Sequence, residues 1–441
     1  MDITASDTSA SVAIERQEGE GRWFRLPEVE PFAEDILLCL SRVKRVNQVV
    51  LGGSYRRRKE TLRGLDILAT CENACPLMDR FTGHDEVAEV VLRGKTHCAV
   101  LLRNGLRVDL RVFPEDAFGA ALFHSTGTPG HVASVREMAV GNRLAIRESG
   151  VFREGGRVGG RTEEEVYRAA GLPYIPPELR EDQGEIEAAA SGSLPELITL
   201  EDIRGDLHGH TTATDGRSTL EEMAAAARAL GYEYLAITDH SVYSMGAGGM
   251  DETRLRRQME RIDRLNETFT GFRLLKGLEV DIREDGSLDT SDAVLAELDI
   301  VVCSLHAHLD LPEAKQTRRV IHAMDNPYFN IYAHPTARLA GYYDPIEIDL
   351  EHVMEAALAR GCFLELNSKP ERLDLSDVYC KLAKEMGLKV AISTDAHRTD
   401  RLQSIRFGIE QARRGWLEPD DVLNTRSWLE LKQLLKRRPP A

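Results

Sequence analysis

The sequence predicts an α/β protein in which seven parallel strand–helix units follow an α+β module and a mostly helical one. Three observations lead there. From about residue 200, short apolar runs alternate with amphipathic stretches roughly every 30 residues, the rhythm of parallel βα units. Six of the seven runs end in a histidine or a carboxylate. Upstream the pattern changes to a helix, a strand ending in glycines and a hairpin.

With 441 residues the chain has room for several cores. Its composition is 42% hydrophobic and 29% charged, and no apolar run approaches the roughly 18–20 residues of a membrane span. Residues 1–25 read as a flexible, acidic tail without the basic and apolar regions of a signal peptide, so a cytoplasmic protein is expected. Seven scattered cysteines (Cys39, Cys71, Cys75, Cys98, Cys303, Cys362, Cys380) read as reduced thiols, since no second pair completes a zinc knuckle with Cys71 and Cys75. The net charge of −16 argues against non-specific coating of nucleic acid. The charge is uneven, however. "SRVKRVNQVVLGGSYRRRKETLR", 41–63, holds eight basic residues against Glu60 alone and is the candidate for phosphate contact, with a solvated basic face as the plainer alternative.

Element by element, 26–115 reads as the α+β module. "PFAEDILLCLSRVKRV" is a helix, "QVVLGGS" and "LDILAT" are strands, and "CAVLLRNGLRVDLRVF" is a hairpin turning at Arg103-Asn104-Gly105. Residues 116–190 read as mainly helical, and 191–201 as a linker. Over 202–441 the seven runs are "IRGDLHGH", "YLAITDH", "RLLKGLEV", "DIVVCSLH", "FNIYAHP", "CFLELNS" and "KVAISTDAH". Between them lie helical stretches such as "STLEEMAAAARALG" and "LSDVYCKLAKEMG", the latter closed by a glycine.

The run ends carry the chemistry. "GDLHGHTTATDG" alone holds His208, His210 and Asp215, although a single His-x-His also occurs on ordinary polar faces. His240, Glu279, His306, His334, Asp395 and His397 follow at later run ends. In a βα barrel the C-terminal strand ends converge on one face, so these distant positions meet there. Six of the thirteen histidines fall at these ends, too many for isolated core histidines. Imidazole and carboxylate donors without thiolate suit manganese, zinc or iron.

"DLHGHTTATDG", "AITDHS", "GLEVDI", "SLHAH", "YAHP" and "STDAH" resemble the successive motifs of the PHP (polymerase and histidinol phosphatase) superfamily across 202–441, with all nine ligand positions filled. The resemblance implies a distorted (β/α)7 barrel with three divalent ions, manganese or zinc, iron being a further option. His208, His210, Glu279 and Asp395 would hold one ion and carry catalysis through it. Glu279 would bridge to a second ion on His306 and His334, and Asp215, His240 and His397 would hold the third. His308 is outside the family's ligand set and is expected at the surface or behind the ligands. Such clusters hydrolyse phosphate esters, because the ions lower the pKa of water and neutralise phosphoryl oxygens.

The first half resembles family-X DNA polymerases. "GGSYRRRKETLRGLDILAT" is similar to the nucleotidyltransferase palm motif and "RVDLRVF" to the strand bearing that family's third aspartate. "FGAALFHSTGTPGHVASVREMA" is similar to the thumb, and "GLPYIPPELREDQGEIEAA" to the thumb–PHP joint of bacterial members. The family's helix-hairpin-helix and fingers regions have no counterpart. The Asp-x-Asp motif reads Gly64-Leu65-Asp66, leaving Asp66 and Asp109 as a vestigial site, and the thumb's Tyr-Phe pair is His124-Ser125. The resemblance therefore implies a palm unable to polymerise that still contacts DNA through Gly53, Ser54, Arg56, Arg57, Arg58 and Lys59. A relic palm retained for packing is the alternative. For the whole chain a 3′→5′ exonuclease on DNA is expected. The competing readings are a phosphomonoesterase of the histidinol-phosphatase type and a DNA-binding protein without activity.

Overall fold

The computed structural model describes residues 22–244 and 247–436. Most of the expected N-terminal tail lies outside the described residues. Its last residues are ordered: Phe24–Arg25 (β1) pairs antiparallel with Thr61–Leu62 (β3), and Phe24 is buried.

The first module is a five-stranded sheet. Its strands are Val46–Leu51 (β2), Gly64–Cys71 (β4), Val87–Arg93 (β5), His97–Leu102 (β6) and Arg107–Val112 (β7), in the order β2-β4-β7-β6-β5. β4 and β7 run parallel and the other pairs are antiparallel. The hairpin between β6 and β7 turns at Gly105, whose φ of +87° requires a glycine-tolerant turn. The helix Leu26–Ser41 buries Leu26, Val29, Ala33, Ile36 and Leu40 against this sheet, the spacing of one helical face.

Residues 118–191 form four helices, Phe118–Thr126, Pro129–Gly141, Glu163–Ala169 and Glu185–Ser191. Between the second and third lies an antiparallel sheet of Ala145–Arg147 (β8), Gly150–Arg153 (β9) and Gly156–Gly159 (β10), absent from the helical reading of 116–190. These strands are only three or four residues long and rich in glycine and arginine, so they carry too little apolar alternation to register as strands.

The C-terminal half is a sheet of seven parallel strands in sequential order, Gly205–Asp206 (β11), Tyr234–Ile237 (β12), Arg273–Asp281 (β13), Ile300–Ser304 (β14), Ile331–Tyr332 (β15), Phe363–Asn367 (β16) and Val390–Ser393 (β17). Each expected run coincides with one of them, β13 extending one residue further to Asp281. The helix Leu220–Ala229 begins at a Thr219–Glu222 capping box, and Asp377–Met386 ends at Gly387 with φ +75°.

The seam between β17 and β11 closes by side chains and one isolated backbone bridge rather than by a continuous ladder. Asp206 accepts from the backbone and hydroxyl of Thr394, Gly209 bridges Ala396, and Asn424 Nδ2 donates to the carbonyls of Gly205 and Ile392, both at 2.8 Å. Inside the barrel, Leu207, Tyr234, Leu275, Ile300, Val302 and Ile331 pack against Leu431 and Leu435 of the last helix, Trp428–Leu435. That helix plugs the bottom and leaves the C-terminal rim as the open end.

Charged pairs tie the modules together. Arg406 binds Glu30 through both terminal nitrogens, Arg58 lies between Glu30 (3.6 Å) and Glu410 (3.4 Å), and Arg414 reaches Glu181 and the Arg57 carbonyl.

Candidate metal centre

Rim loops aim the expected side chains into one pocket, lined by Asp215, His240, Glu279, His306, His334, Asp395 and His397. His208 and His210 are fully buried beneath it. The axis is Glu279 on β13. Its Oε1 faces His334 Nε2 (3.1 Å) and His306 Nε2 (3.4 Å), and its Oε2 faces His240 Nδ1 (3.0 Å), His208 Nε2 (3.4 Å) and His210 Nε2 (3.5 Å). On the far side Asp215 approaches His397 Nε2 at 3.2 Å and His240 Nε2 at 3.6 Å, while Asp395 Oδ1 lies 3.2 Å from His210 Nε2. His334 and Asp395 hold positive φ, 32° and 51°, an uncommon backbone for such residues that concentrates at functional sites.

The donors fall into three groups that could each hold an ion: His208, His210 and Asp395; His240, Glu279 and His306; His210, Asp215, His240 and His397. His334 stands outside these groups, although its Nε2 faces Glu279. Unpartnered buried nitrogens test the fit. His208 Nε2, both ring nitrogens of His210 and His240 Nδ1 are buried without a hydrogen bond. Polar atoms buried in this way are costly unless something else satisfies them, which divalent ions would do. The residues present therefore fit a metal cluster.

Burial disfavours charge on His240, yet Glu279 and Asp215 outweigh it and hold the ring up at about 10. Burial and the neighbouring His240 push His210 down to about 4. Burial and Arg372 do the same to His334, also to about 4. Burial works against the charged forms of Glu279 and Asp395, but the surrounding cations hold both carboxyls well below their ordinary range.

Sequence reasoning missed the groups behind the ligands. Glu365, on the one run without an expected ligand, is buried on β16; its Oε1 lies 2.8 Å from His208 Nδ1 and its Oε2 accepts the His334 N–H at 2.8 Å. Asp281 pairs with His306 Nδ1 at 3.0 Å, and the Asp395 carbonyl with His397 Nδ1 at 2.8 Å. Such partners fix which ring nitrogen is free for a metal. A glutamate amid the apolar run "CFLELNS" was the available signal. Lys369 and Arg372 were also missed. Both line the pocket, with Lys369 Nζ 3.3 Å and Arg372 Nε 3.5 Å from Asp395 Oδ2. His308 is at the surface, 3.8 Å from Glu284.

Residues 206–369 match the PHP domain, and residues 121–181 match the DNA polymerase beta thumb. The DNA polymerase/3′-5′ exonuclease PolX of Bacillus subtilis (strain 168) is 39% identical over 409 residues, spanning 92% of this chain and 71% of the relative. The chain belongs to the bacterial family-X polymerases with a PHP domain. A probable phosphatase of Thermoanaerobacter sp. (strain X514) is 32% identical over 245 residues, 53% of this chain and 94% of that protein. One of Caldanaerobacter subterraneus subsp. tengcongensis is 33% identical over 204 residues, 44% and 75% respectively. Membership in the PHP-bearing family makes this protein a metal-dependent phosphoesterase.

The family-X palm motif is structured differently from its expected use. Arg56 forms a double contact with Glu163 (2.9 and 2.6 Å) and reaches Thr126; Arg57, buried, binds Glu181 (2.9 Å) and the Thr126 carbonyl (2.6 Å). Arg58 lies between Glu30 and Glu410, and Lys59 is 3.7 Å from Glu181. Arg56 and Arg57, expected to contact nucleic acid, are thus paired with Glu163 and Glu181 within the chain. Gly53 and Ser54 open the short helix Gly53–Arg56, where Gly53 has φ +60° against the Asp66 carboxylate. Asp66 and Asp109 sit side by side on β4 and β7; burial and Asp109 raise the Asp66 carboxyl, and Asp109 is held by His97 (2.9 Å) and Arg107 (2.7 Å). Among the described residues no helix is long and apolar enough to cross a membrane.

Proposed function

We propose that this protein shortens DNA from the 3′ end, using three divalent ions (manganese or zinc) held by His208, His210, Asp215, His240, Glu279, His306, His334, Asp395 and His397. The observation that carries the reading is the convergence of these donors about the two oxygens of Glu279, with unpartnered ring nitrogens pointing among them. Bound ions supply activated water near neutral pH and charge for the phosphoryl oxygens. The chain's own residues do the rest. Glu279 presents one oxygen to each side of the cluster, and Glu365 and Asp281 orient His208 and His306. Lys369 and Arg372 face the pocket as cations for the substrate phosphate.

The palm, on the same proposal, does not extend primers. Gly64 offers no carboxylate, and Asp109 is already engaged by His97 and Arg107. Polymer substrates are favoured by the thumb and palm fixed beside the barrel, and by the exonuclease named in the Bacillus relative. Relatives named probable phosphatases support a second reading, a small-molecule phosphomonoesterase. The deciding experiment offers manganese-loaded protein 5′-labelled single-stranded oligonucleotides beside a panel of phosphomonoesters. A ladder of 3′-shortened products is expected. Brisk monoester turnover with intact oligonucleotides would establish the second reading.

A further inference from the structure

Three of the four exposed large aromatic side chains among the described residues stand on the barrel's open rim: Tyr243, Tyr342 (80% exposed) and Tyr343 (59% exposed). The fourth, Trp23, is covered by the Arg63 guanidinium at 4.4 Å. Tyr243 lines the metal pocket. Tyr342 and Tyr343 ride on the loop that leaves His334, in a tight turn where Leu339 bridges Tyr343 and Gly341 takes φ +84°. That loop is pinned to the segment bearing the two pocket cations. The Ala340 N–H donates to the Glu371 carbonyl at 2.8 Å, and Arg338 donates to the Leu373 carbonyl. The backbone is fixed while both rings stand in solvent, with no hydrogen bond from either hydroxyl among the described residues.

Resting on the nuclease reading above, we propose that Tyr342 and Tyr343 form a base-stacking platform for the single strand whose terminal phosphodiester enters the metal pocket. Two exposed aromatic rings on a loop tied to the segment of the pocket cations match a polymer that alternates bases with phosphates. A small phosphomonoester would reach the pocket without touching them. The Ala340–Glu371 backbone bond ties this platform to the segment that carries Lys369 and Arg372.

The test uses the full chain loaded with manganese and the double substitution Tyr342→Ala/Tyr343→Ala. KM for a single-stranded oligonucleotide should rise about ten-fold or more, the scale of one or two lost stacking contacts. Turnover of bis(p-nitrophenyl) phosphate should stay within about two-fold of the unsubstituted protein on the same grounds. Tyr342→Phe/Tyr343→Phe, which keeps the faces, should restore oligonucleotide KM. Unsubstituted protein should bind an oligonucleotide with abasic sites near its 3′ end as weakly as the alanine variant binds the normal one. An unchanged oligonucleotide KM, or an equal loss on the small diester, overturns the platform while leaving the nuclease reading intact. Unsubstituted protein that leaves oligonucleotides whole overturns both.

Discussion

Glu279 touches five histidines, so its loss should be felt by more of the cluster than that of any ligand at the edge. Glu279→Ala is expected to retain at most one ion after dialysis, by elemental analysis, where three are expected of the unsubstituted protein. Glu365 never reaches the pocket, yet its carboxylate sets the tautomer of His208. Glu365→Gln should weaken metal retention by about 10- to 100-fold, measured by titration with a competing chelator. The candidate ligands were legible because most sit at or shortly after a strand end, a position that makes a histidine conspicuous. Glu365, Asp281 and Lys369 were not, because a buried carboxylate within a strand or a lysine after one looks like ordinary sequence until the ring or carboxylate it serves is in place.

At the scale of elements, the short helix Gly53–Arg56 and the residues after it illustrate how a charge run can find partners within its own chain. Its partners Glu163, Glu181 and Glu410 lie more than a hundred positions away, and no local pattern announces them. Arg57→Ala removes one cation from Glu181, which keeps Arg414, and should destabilise the protein by about 1–3 kcal/mol, read from denaturant unfolding. If the variant instead unfolds like the unsubstituted protein but binds oligonucleotide weakly, Arg57 serves the strand after all. The neighbouring β4 carries a second expectation. A Cβ on Gly64 would meet the Arg107 carbonyl at 2.8 Å, so Gly64→Asp must displace β7 before its carboxylate can join Asp66. Primer extension with magnesium or manganese should remain undetectable in that variant. The palm strands were readable from their apolar alternation; β8, β9 and β10 were not, since strands that short acquire their register only from one another.

Across the whole molecule, the junction of first helix and barrel concentrates buried charge. Burial raises the Glu410 carboxyl to about 7 despite Arg58 nearby, with Glu30 adding to the rise, and its Oε2 has no hydrogen bond. A group raised in the folded state keeps its proton while the unfolded chain, with a value near 4.5, releases it. Stability from this residue therefore falls as pH climbs from about 4.5 to about 7, at about 1.4 kcal/mol per unit, and the cost is complete above that. Glu410→Gln should melt higher than the unsubstituted protein at pH 8 and show no such advantage at pH 4.5, by calorimetry. The seven-strand order was legible from the repeat of its motifs, whereas the closing of its seam by Asp206, Thr394 and Asn424 was not. That seam has a consequence for the ions. His208 and His210 follow the first strand, Asp395 and His397 the last, and no continuous ladder joins those strands. An ion shared by His210 and Asp395 would act as a cross-link across a very long loop, the circumstance in which a clip constrains the unfolded chain most. Removing metal should therefore loosen the protein at one line rather than everywhere, with amide hydrogen exchange rising first along β11 and β17 while the middle strands stay protected.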